Sequence, residues 1–290
     1  MDIGVFTPLT SWHAGGEYLR ALGPQVEARG FESLWVPEHV VLFDEYDSPY
    51  PYAEDGKIPA PPEAGMVEPF TALSYLAAIT DTVRLGTGIC LLPQRNPVYT
   101  AKVVADLDWA SGGRVDLGIG VGWLKEEFDV LQVPFEGRGA RTDEYIGILK
   151  TLWTDEVSSF DGEIYPLQET RMYPKPVQSP HPPIHVGGES DAALRRAARH
   201  GQGWYGFNRP PDKVAEGLDR LDKFLAEEGR DRSDIQVSIC PYFHGLTPDD
   251  VKRYEDLGVD RVIALLISMT ADDLPQALDA LQPAVDAAAG

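Results

Sequence analysis

The residues of this chain that are best suited to chemistry follow the ends of predicted strands. Glu38 and His39 follow the apolar segment Ser33–Val36 after Pro37, and the glycine-containing runs 88–92 and 120–123 lie at the ends of two further predicted strands. Glycine at such positions lets a ligand approach the backbone closely, although a tightly packed strand would need the same residues. Glycine, aromatic residues and one histidine suit a large planar cofactor better than hydrolysis. We expect His39 to donate to a substrate or ring oxygen, with a purely structural histidine as the alternative.

A phosphate site is predicted where Gly187-Gly188-Glu189-Ser190 ends one strand and opens a helix. Unpaired backbone N–H groups at the start of a helix bind anions. The alternative is an ordinary N-cap formed by Ser190 or Asp191, and one motif can serve both purposes. Asn96-Pro97, in contrast, indicates only the start of a helix, with Asn96 as N-cap and Pro97 as the first helical residue.

Other kinds of site are disfavoured by motifs that the sequence lacks. It has no His-x-His pair, no Glu-x-x-His helix and no carboxylate cluster at the predicted strand ends, so we expect no bound metal. It has no Gly-x-Ser-x-Gly motif for a serine nucleophile. The run 118–122 alternates glycine with Ile119 and Val121, which is not the spacing of the dinucleotide-binding fingerprint.

Two of the glycine segments belong to one predicted βαβ unit. Its strands are Val83–Leu91 and Val115–Ile119, joined by a helix from about Pro97 to Ala110. Apolar residues spaced four apart predict one buried stripe on that helix, formed by Tyr99, Val103 and Leu107. Strand, crossover helix and strand in this order are typical of a parallel sheet. Two glycine-containing strands side by side suggest a flat ligand against bare backbone.

Strands and helices alternate along the rest of the chain. The other predicted strands are Asp2–Thr7, Ser33–Val36, Pro183–Val186, Gln202–Tyr205, Ile235–Cys240 and Arg261–Ile267. Further helices are predicted at Gly15–Arg29, Glu68–Ile79, Arg141–Trp153, Pro211–Glu228, Pro248–Leu257 and around Leu274, Leu278, Leu281 and Val285. We expect Pro24 to kink or restart the first helix and Gly30 to end it. Eight predicted strands, each followed by a helix, indicate an α/β fold, a (β/α)8 TIM barrel, with residues 1–290 forming one domain.

In such a barrel the active site lies at the carboxyl ends of the strands. The rim residues selected in this way are Thr7 and Pro8, Glu38 and His39, 88–92, 120–123, 187–190, 205–208, Pro241 and Tyr242, and Ile267 and Ser268. Two insertions interrupt the pattern. Residues 44–65, after the second strand, are rich in proline, acidic residues and tyrosine, which predicts a lid, a binding loop or disorder. Before the fifth strand, Asp161-Gly162 predicts a hairpin over 159–165.

The composition limits the partners that we expect. Lys and Arg number 25 against 46 Asp and Glu, a net charge of −21, which argues against non-specific binding to nucleic acid or anionic membranes. We expect no signal peptide, because Met1 leads directly into an apolar strand, and no transmembrane helix. Cys90 and Cys240 lie singly in apolar runs and are expected to be reduced core thiols. These features predict a cytoplasmic protein with a small-molecule substrate.

In combination, the segments resemble the bacterial luciferase-like monooxygenase superfamily, and within it the actinobacterial branch of probable coenzyme F420-dependent oxidoreductases. The resemblance runs the whole length of the chain, through IGVF, SLWVPEH, EYDSPYPY, RLGTGICLLPQRNP, SGGRVDLGIGVGWLKEEF, RTDEYIGILKTLW, PKPVQSPHPPIHVGG and AARHGQGW. It implies a luciferase-like barrel, a deazaflavin cofactor at its mouth and, commonly in this superfamily, a homodimer.

The resemblance also assigns the cofactor contacts by position. The matching positions are Glu38 and His39 for the ring, Thr87, Gly88 and Ile89 around a non-proline cis peptide behind the ring, Gly120, Val121 and Gly122 beside the tail, and Gly187, Gly188, Glu189 and Ser190 for the phosphate. His39 is the candidate proton donor, tuned by Glu38. Trp12-His13 and Trp123 stand near positions where sugar-phosphate dehydrogenases of the superfamily carry carboxylates, so a sugar phosphate is not the expected substrate.

Three functional hypotheses follow. The first is an oxidoreductase that moves a hydride between coenzyme F420 and a small organic substrate, with residues 44–65 covering that substrate. The second is an FMN-dependent monooxygenase that receives reduced FMN from a separate flavin reductase and uses oxygen. The third is a non-catalytic flavin-binding protein on the same barrel, since a fold alone does not fix a function.

Overall fold

A closed parallel barrel organises the chain. The computed structural model describes residues 1–289, and its main sheet has nine strands in the order β3-β2-β1-β11-β10-β9-β8-β5-β4. The strands of this sheet are β1 (Asp2–Phe6), β2 (Ser33–Val36), β3 (Arg84–Thr87), β4 (Cys90–Leu91), β5 (Val115–Gly120), β8 (Ile184–Gly187), β9 (Gly203–Phe207), β10 (Gln236–Cys240) and β11 (Arg261–Leu265). Because β3 also pairs with β5, the sheet closes into an eight-stranded barrel to which β4 adds a short extension. The predicted (β/α)8 fold is confirmed.

Helices surround the barrel in chain order. They are α1 (Gly16–Ala28), α2 (Pro69–Ala77), α3 (Pro97–Ser111), α4 (Lys125–Val130), α5 (Arg138–Thr154), α6 (Asp191–His200), α7 (Pro211–Glu227), α8 (Pro248–Asp256), α9 (Leu274–Asp279) and α10 (Gln282–Ala289). The second insertion contains an antiparallel hairpin of β6 (Ser158–Phe160) and β7 (Leu167–Thr170). Among residues 1–289, no helix is long and apolar enough to cross a membrane. That residues 1–290 form one domain stays a prediction.

Several local predictions differ from the structure. Helix α1 continues through Pro24, so the proline does not restart it; Gly30, at φ +77°, ends the helix as predicted. The hairpin closes later than 159–165, since its second strand begins at Leu167. The predicted last helix is divided into α9 and α10.

The buried face of α3 also differs from the predicted stripe. Tyr99 is 76% exposed and Val103 only partly buried, whereas Leu107 is buried. The residues that face the barrel are shifted along the helix and include Ala101, Val104 and Ala105. Small side chains at this face let the helix axis approach the sheet closely. Asn96 caps this helix as predicted and accepts hydrogen bonds from the amides of Val98 and Tyr99 at 3.0 and 3.1 Å.

A charged cluster closes the amino-terminal end of the barrel. Asp116 is buried on β5 and accepts hydrogen bonds from Arg84 at 2.8 Å and from His185 Nε2 at 3.3 Å. Arg261, itself 2% exposed, lies 3.4 Å from Asp116 and also pairs with Glu32. Burial acts to raise the pKa of Asp116, but Arg261, His185 and Arg84 together hold that pKa below its usual value. The polar end of the barrel therefore lies opposite the carboxyl ends of the strands.

Two strand glycines are required by the protein itself. A Cβ atom on Gly86 would lie 2.3 Å from the Trp35 ring, and one on Gly118 would lie 2.0 Å from the carbonyl oxygen of Thr87. The prediction that these two glycines expose bare backbone to a ligand is therefore wrong. They permit the close contact of β2, β3 and β5 instead.

We expect Gly118→Ala to lower the free energy of unfolding by about 1–3 kcal/mol, because the added methyl group must displace backbone rather than a flexible side chain. Gly16→Ala is the matched control: it lies exposed in the first turn of α1, where an added Cβ meets only the mobile Arg20 side chain. Urea unfolding of both variants tests this. Equal midpoints for the two would contradict the packing explanation.

Candidate active site

A cavity of about 400 Å³ opens at the carboxyl ends of the barrel strands. Most of the predicted cofactor residues line it: Glu38, His39, Gly88, Ile89, Gly120, Val121, Gly122, Gly187 and Gly188. Thr87, Glu189 and Ser190 do not. Thr87 is instead buried between strands, and its hydroxyl donates to the Gly118 carbonyl at 2.6 Å. A barrel of this kind is expected to place its reactive groups at this end.

The floor of the cavity is the peptide that interrupts the third barrel strand. The Gly88-Ile89 bond is cis, as the resemblance implied, and the strand resumes as β4. A Cβ on Gly120 would lie 1.9 Å from Ile89 Cδ1, and one on Gly187 would lie 3.1 Å from the same atom. The Ile89 side chain therefore fills the space that these glycines leave. The glycines at this point serve the packing of Ile89 below the cavity.

Glu38 is committed to partners other than His39. Its Oε2 accepts from the Leu91 amide at 2.6 Å, and its Oε1 accepts from Arg95 Nε at 2.7 Å. Arg95 also pairs with Glu68 at 2.7 Å. The carboxylate thus connects the end of β2 with the segment that follows the cis peptide. The prediction that Glu38 tunes His39 is wrong, because its two oxygens face Leu91 and Arg95.

The carboxylate that contacts His39 belongs to Glu127, in α4. Its Oε2 lies 3.2 Å from His39 Nδ1, and the Glu127 side chain is 0% exposed. The same carboxylate accepts from the Val40 amide at 2.6 Å and from Gln94 Nε2 at 3.0 Å. Burial acts to raise the pKa of Glu127, but the hydrogen bonds from His39, Gln94 and Val40 outweigh it and leave the pKa lowered.

The hydrogen bond between Glu127 and His39 fixes which nitrogen of the neutral His39 ring carries the proton. An ionised carboxylate only accepts hydrogen bonds, so Nδ1 must carry a proton and donate to Glu127. His39 Nε2 lies on the opposite side of the ring, and no described residue bonds to it. Because His39 lines the cavity and Trp123 meets its ring edge-on at 5.8 Å, Nε2 is the nitrogen available to a ligand. The sequence alone did not identify Glu127 as a partner of His39. The only signal was that Glu127 lies in the segment SGGRVDLGIGVGWLKEEF, which carries part of the family resemblance.

The insertion 44–65 lies over the cavity. Tyr50 packs against Trp123 with ring centres 5.2 Å apart, and Tyr52 packs against Phe207 at 4.9 Å. The backbone carbonyl of Tyr52 accepts from Asn208 Nδ2 at 3.3 Å. Except for a short turn at Pro62–Ala64, the insertion has no helix or strand. Its aromatic side chains make one wall of the cavity apolar.

The predicted phosphate turn is also the start of α6. Ser190 caps this helix, accepting from the Ala193 amide at 3.2 Å, so the N-cap interpretation is confirmed. Gly188 adopts φ +109°, and no described residue accepts from the amides of Glu189 and Ser190. The Glu189 carboxylate does not cap this helix; it accepts a hydrogen bond from the Phe207 amide at 2.8 Å. Burial raises the pKa of that carboxyl.

The described residues contain no group of three His, Cys, Asp or Glu side chains arranged to hold a metal ion. Cys90 and Cys240 are both buried and not bonded to each other. The cavity lining combines backbone, aromatic and aliphatic side chains with the imidazoles of His39 and His13.

Comparison with known proteins identifies the family. The model of the luciferase-like monooxygenase family matches residues 1–270. The chain belongs to this family. An uncharacterised protein of Mycobacterium tuberculosis is 38% identical over 242 residues, which span 83% of this chain and 82% of the relative.

Two further proteins are similar to this chain, one in sequence and one in fold. The FMNH2-dependent dimethylsulfone monooxygenase of Pseudomonas putida is 35% identical over 144 residues, 49% of this chain and 39% of that protein. The structure of an F420-dependent secondary alcohol dehydrogenase with an F420–acetone adduct superposes with a TM-score of 0.76 at 17% identity, covering 99% of this chain and 98% of the other. That structure shows the shared barrel.

We expect Arg95→Met to lower the free energy of unfolding by about 3 kcal/mol, because it leaves the buried Glu38 carboxylate without its cationic partner. The double variant Glu38→Gln/Arg95→Met should recover part of this loss, since the neutral amide can still accept from Leu91. Arg253→Met is the control, because Arg253 pairs with the exposed Asp212 and should cost less than about 1 kcal/mol. Thermal or urea unfolding of the set measures the effect, and a double variant no more stable than Arg95→Met would contradict this explanation.

Proposed function

We propose that this protein is an oxidoreductase that transfers a hydride between the deazaflavin of coenzyme F420 and a small organic substrate. One observation carries the proposal: His39 lines a largely apolar cavity, Glu127 lies 3.2 Å from its Nδ1, and no described residue bonds to its Nε2. A positioned imidazole beside a water-poor cavity can stabilise or deliver a proton where the substrate gains or loses charge. The barrel shared with an F420-dependent alcohol dehydrogenase supports the choice of cofactor.

The residues of the mouth fit such a cofactor. The apolar floor at Gly88 and Ile89 would lie against a flat ring system. The unpaired amides of Glu189 and Ser190, at the start of α6, would bind a phosphate in the way that helix N-termini bind anions. Gly122, at φ +78°, lines the same cavity and would lie beside the cofactor tail.

When bound, the deazaflavin would supply hydride chemistry at C5 of its ring. The protein's part is orientation, proton control and exclusion of water. Glu127 acts as a positioning residue, since it fixes the proton of His39 on Nδ1. Charging of the ring then places a second proton on Nε2, where it can be donated to a substrate oxygen. Tyr50 and Tyr52 close the cavity above and keep bulk water away from that proton.

A second candidate is a monooxygenase that uses reduced FMN and oxygen. The relative in Pseudomonas putida favours it, because the printed activity of that protein is FMNH2-dependent. This candidate requires a separate flavin reductase as partner. It uses the same phosphate turn and differs in which isoalloxazine-type ring the mouth accepts.

Titration of the purified chain with oxidised F420 and, separately, with FMN at fixed salt separates the two. We expect selective binding of F420 with a dissociation constant in the micromolar range or below, followed by fluorescence or calorimetry. Selective binding of FMN would replace the proposal by the second candidate. Binding of neither would overturn both.

For His39→Ala we expect a loss of about 10²–10⁴ in turnover with F420 still bound, because a general acid contributes this much. The control His244→Ala removes an imidazole that is exposed and outside the cavity lining and should leave turnover unchanged. Steady-state kinetics with the reduced cofactor measures both variants. A loss below tenfold in His39→Ala would assign His39 to structure.

A further inference from the structure

The lining of the cavity contains a second imidazole in addition to that of His39. His13 lines the cavity from the loop between β1 and α1. Its Nδ1 lies 2.9 Å from Thr10 Oγ1, and its ring meets Tyr18 edge-on at 4.9 Å. No described residue bonds to His13 Nε2. Burial lowers the pKa of His13, so the ring is neutral at neutral pH.

The loop that carries His13 is tied to the insertion above the barrel. Thr10 forms an antiparallel bridge with Met66. The Ser11 amide donates to the Ala64 carbonyl at 2.7 Å, and the Val67 amide donates to the Leu9 carbonyl at 2.8 Å. These backbone bonds connect the loop that carries His13 to the segment 64–67. A ring positioned in this way loses little conformational entropy when it makes a hydrogen bond.

The remaining surface on this side is almost wholly apolar. It is formed by Trp12, Ile58, Met66, Leu266, Ile267 and Met269. Among the described lining residues there is no lysine or arginine, and the carboxylate of Glu38 is already paired with Arg95. A charged substrate group would therefore be desolvated here without a counter-ion, which is costly. An uncharged substrate that is mainly hydrocarbon meets no such penalty.

We propose that His13 is the specificity-determining residue of the substrate side and donates from Nε2 to the carbonyl oxygen of an otherwise apolar, uncharged substrate. This inference rests on the proposed function, because the molecule that His13 would contact is the substrate of that reaction. The proposal requires that the Thr10 hydroxyl, 2.9 Å from Nδ1, donate to that nitrogen, because the single proton of the neutral ring then lies on Nε2. His13 then offers one hydrogen-bond donor in an apolar wall. A substrate with one acceptor at this position gains a hydrogen bond that a hydrocarbon cannot make.

Three probes of similar shape test this: acetophenone, ethylbenzene and benzoate, titrated calorimetrically or by saturation-transfer NMR into the full chain at pH 7.5. We expect the wild type to bind acetophenone more tightly than ethylbenzene and benzoate. In His13→Phe the dissociation constant for acetophenone should rise about tenfold, while that for ethylbenzene should hardly change. His13→Gln, whose amide nitrogen can replace Nε2 as donor, should recover most of the loss.

His244→Phe is the matched control, since it removes an exposed imidazole outside the lining; it should bind all three probes as the wild type does. Unchanged acetophenone binding in His13→Phe would overturn the proposal, as would tighter binding of benzoate than of acetophenone, or no binding of acetophenone at all. The measurement needs no cofactor. A failed F420 titration would therefore refute the proposed function while the probe series still decided the role of His13.

Discussion

The buried carboxylate of Glu127 joins α4 to two other segments on which the barrel mouth depends. It bonds the segment after β2 through the Val40 amide and the His39 imidazole, and the turn after β4 through Gln94. A buried anion is tolerated only when it is well supplied with donors, and here those donors are the parts of the site itself. The shape of the mouth and the protonation of His39 therefore follow from one interaction.

The two ends of the barrel differ in the polarity of their side chains. At the amino-terminal end, Asp116 is compensated by Arg84 and Arg261. At the carboxyl end, the cavity between His39 and His13 is lined mainly by hydrocarbon and aromatic groups. The buried carboxylates at the open end, Glu38 and Glu127, are bonded by Arg95 and His39 respectively. The cavity is a suitable setting for a few precisely placed donors, since hydrogen bonds strengthen as water is excluded.

The fold was largely predictable from the sequence, because strand and helix periodicity, the cap at Asn96 and the turn at Gly30 are local signals. The pairing within the site was not. His39 and Glu127 are separated by 88 positions in the chain, and no spacing rule relates them. The sequence places Glu38 next to His39 and therefore predicts the wrong carboxylate as its partner. The glycine pattern was also ambiguous: only the structure shows that Trp35, Thr87 and Ile89 occupy the spaces beside Gly86, Gly118 and Gly120.

The most direct test of this account is the ring state of His39, read by nitrogen NMR of chain labelled with ¹⁵N-histidine and assigned with a His39→Gln spectrum. The account predicts that, in the neutral ring, Nδ1 carries the proton and Nε2 does not, and that Glu127→Leu abolishes this preference. A proton found on Nε2 in the neutral ring, or a preference unchanged by Glu127→Leu, would contradict the claim that Glu127 sets the chemistry of the mouth.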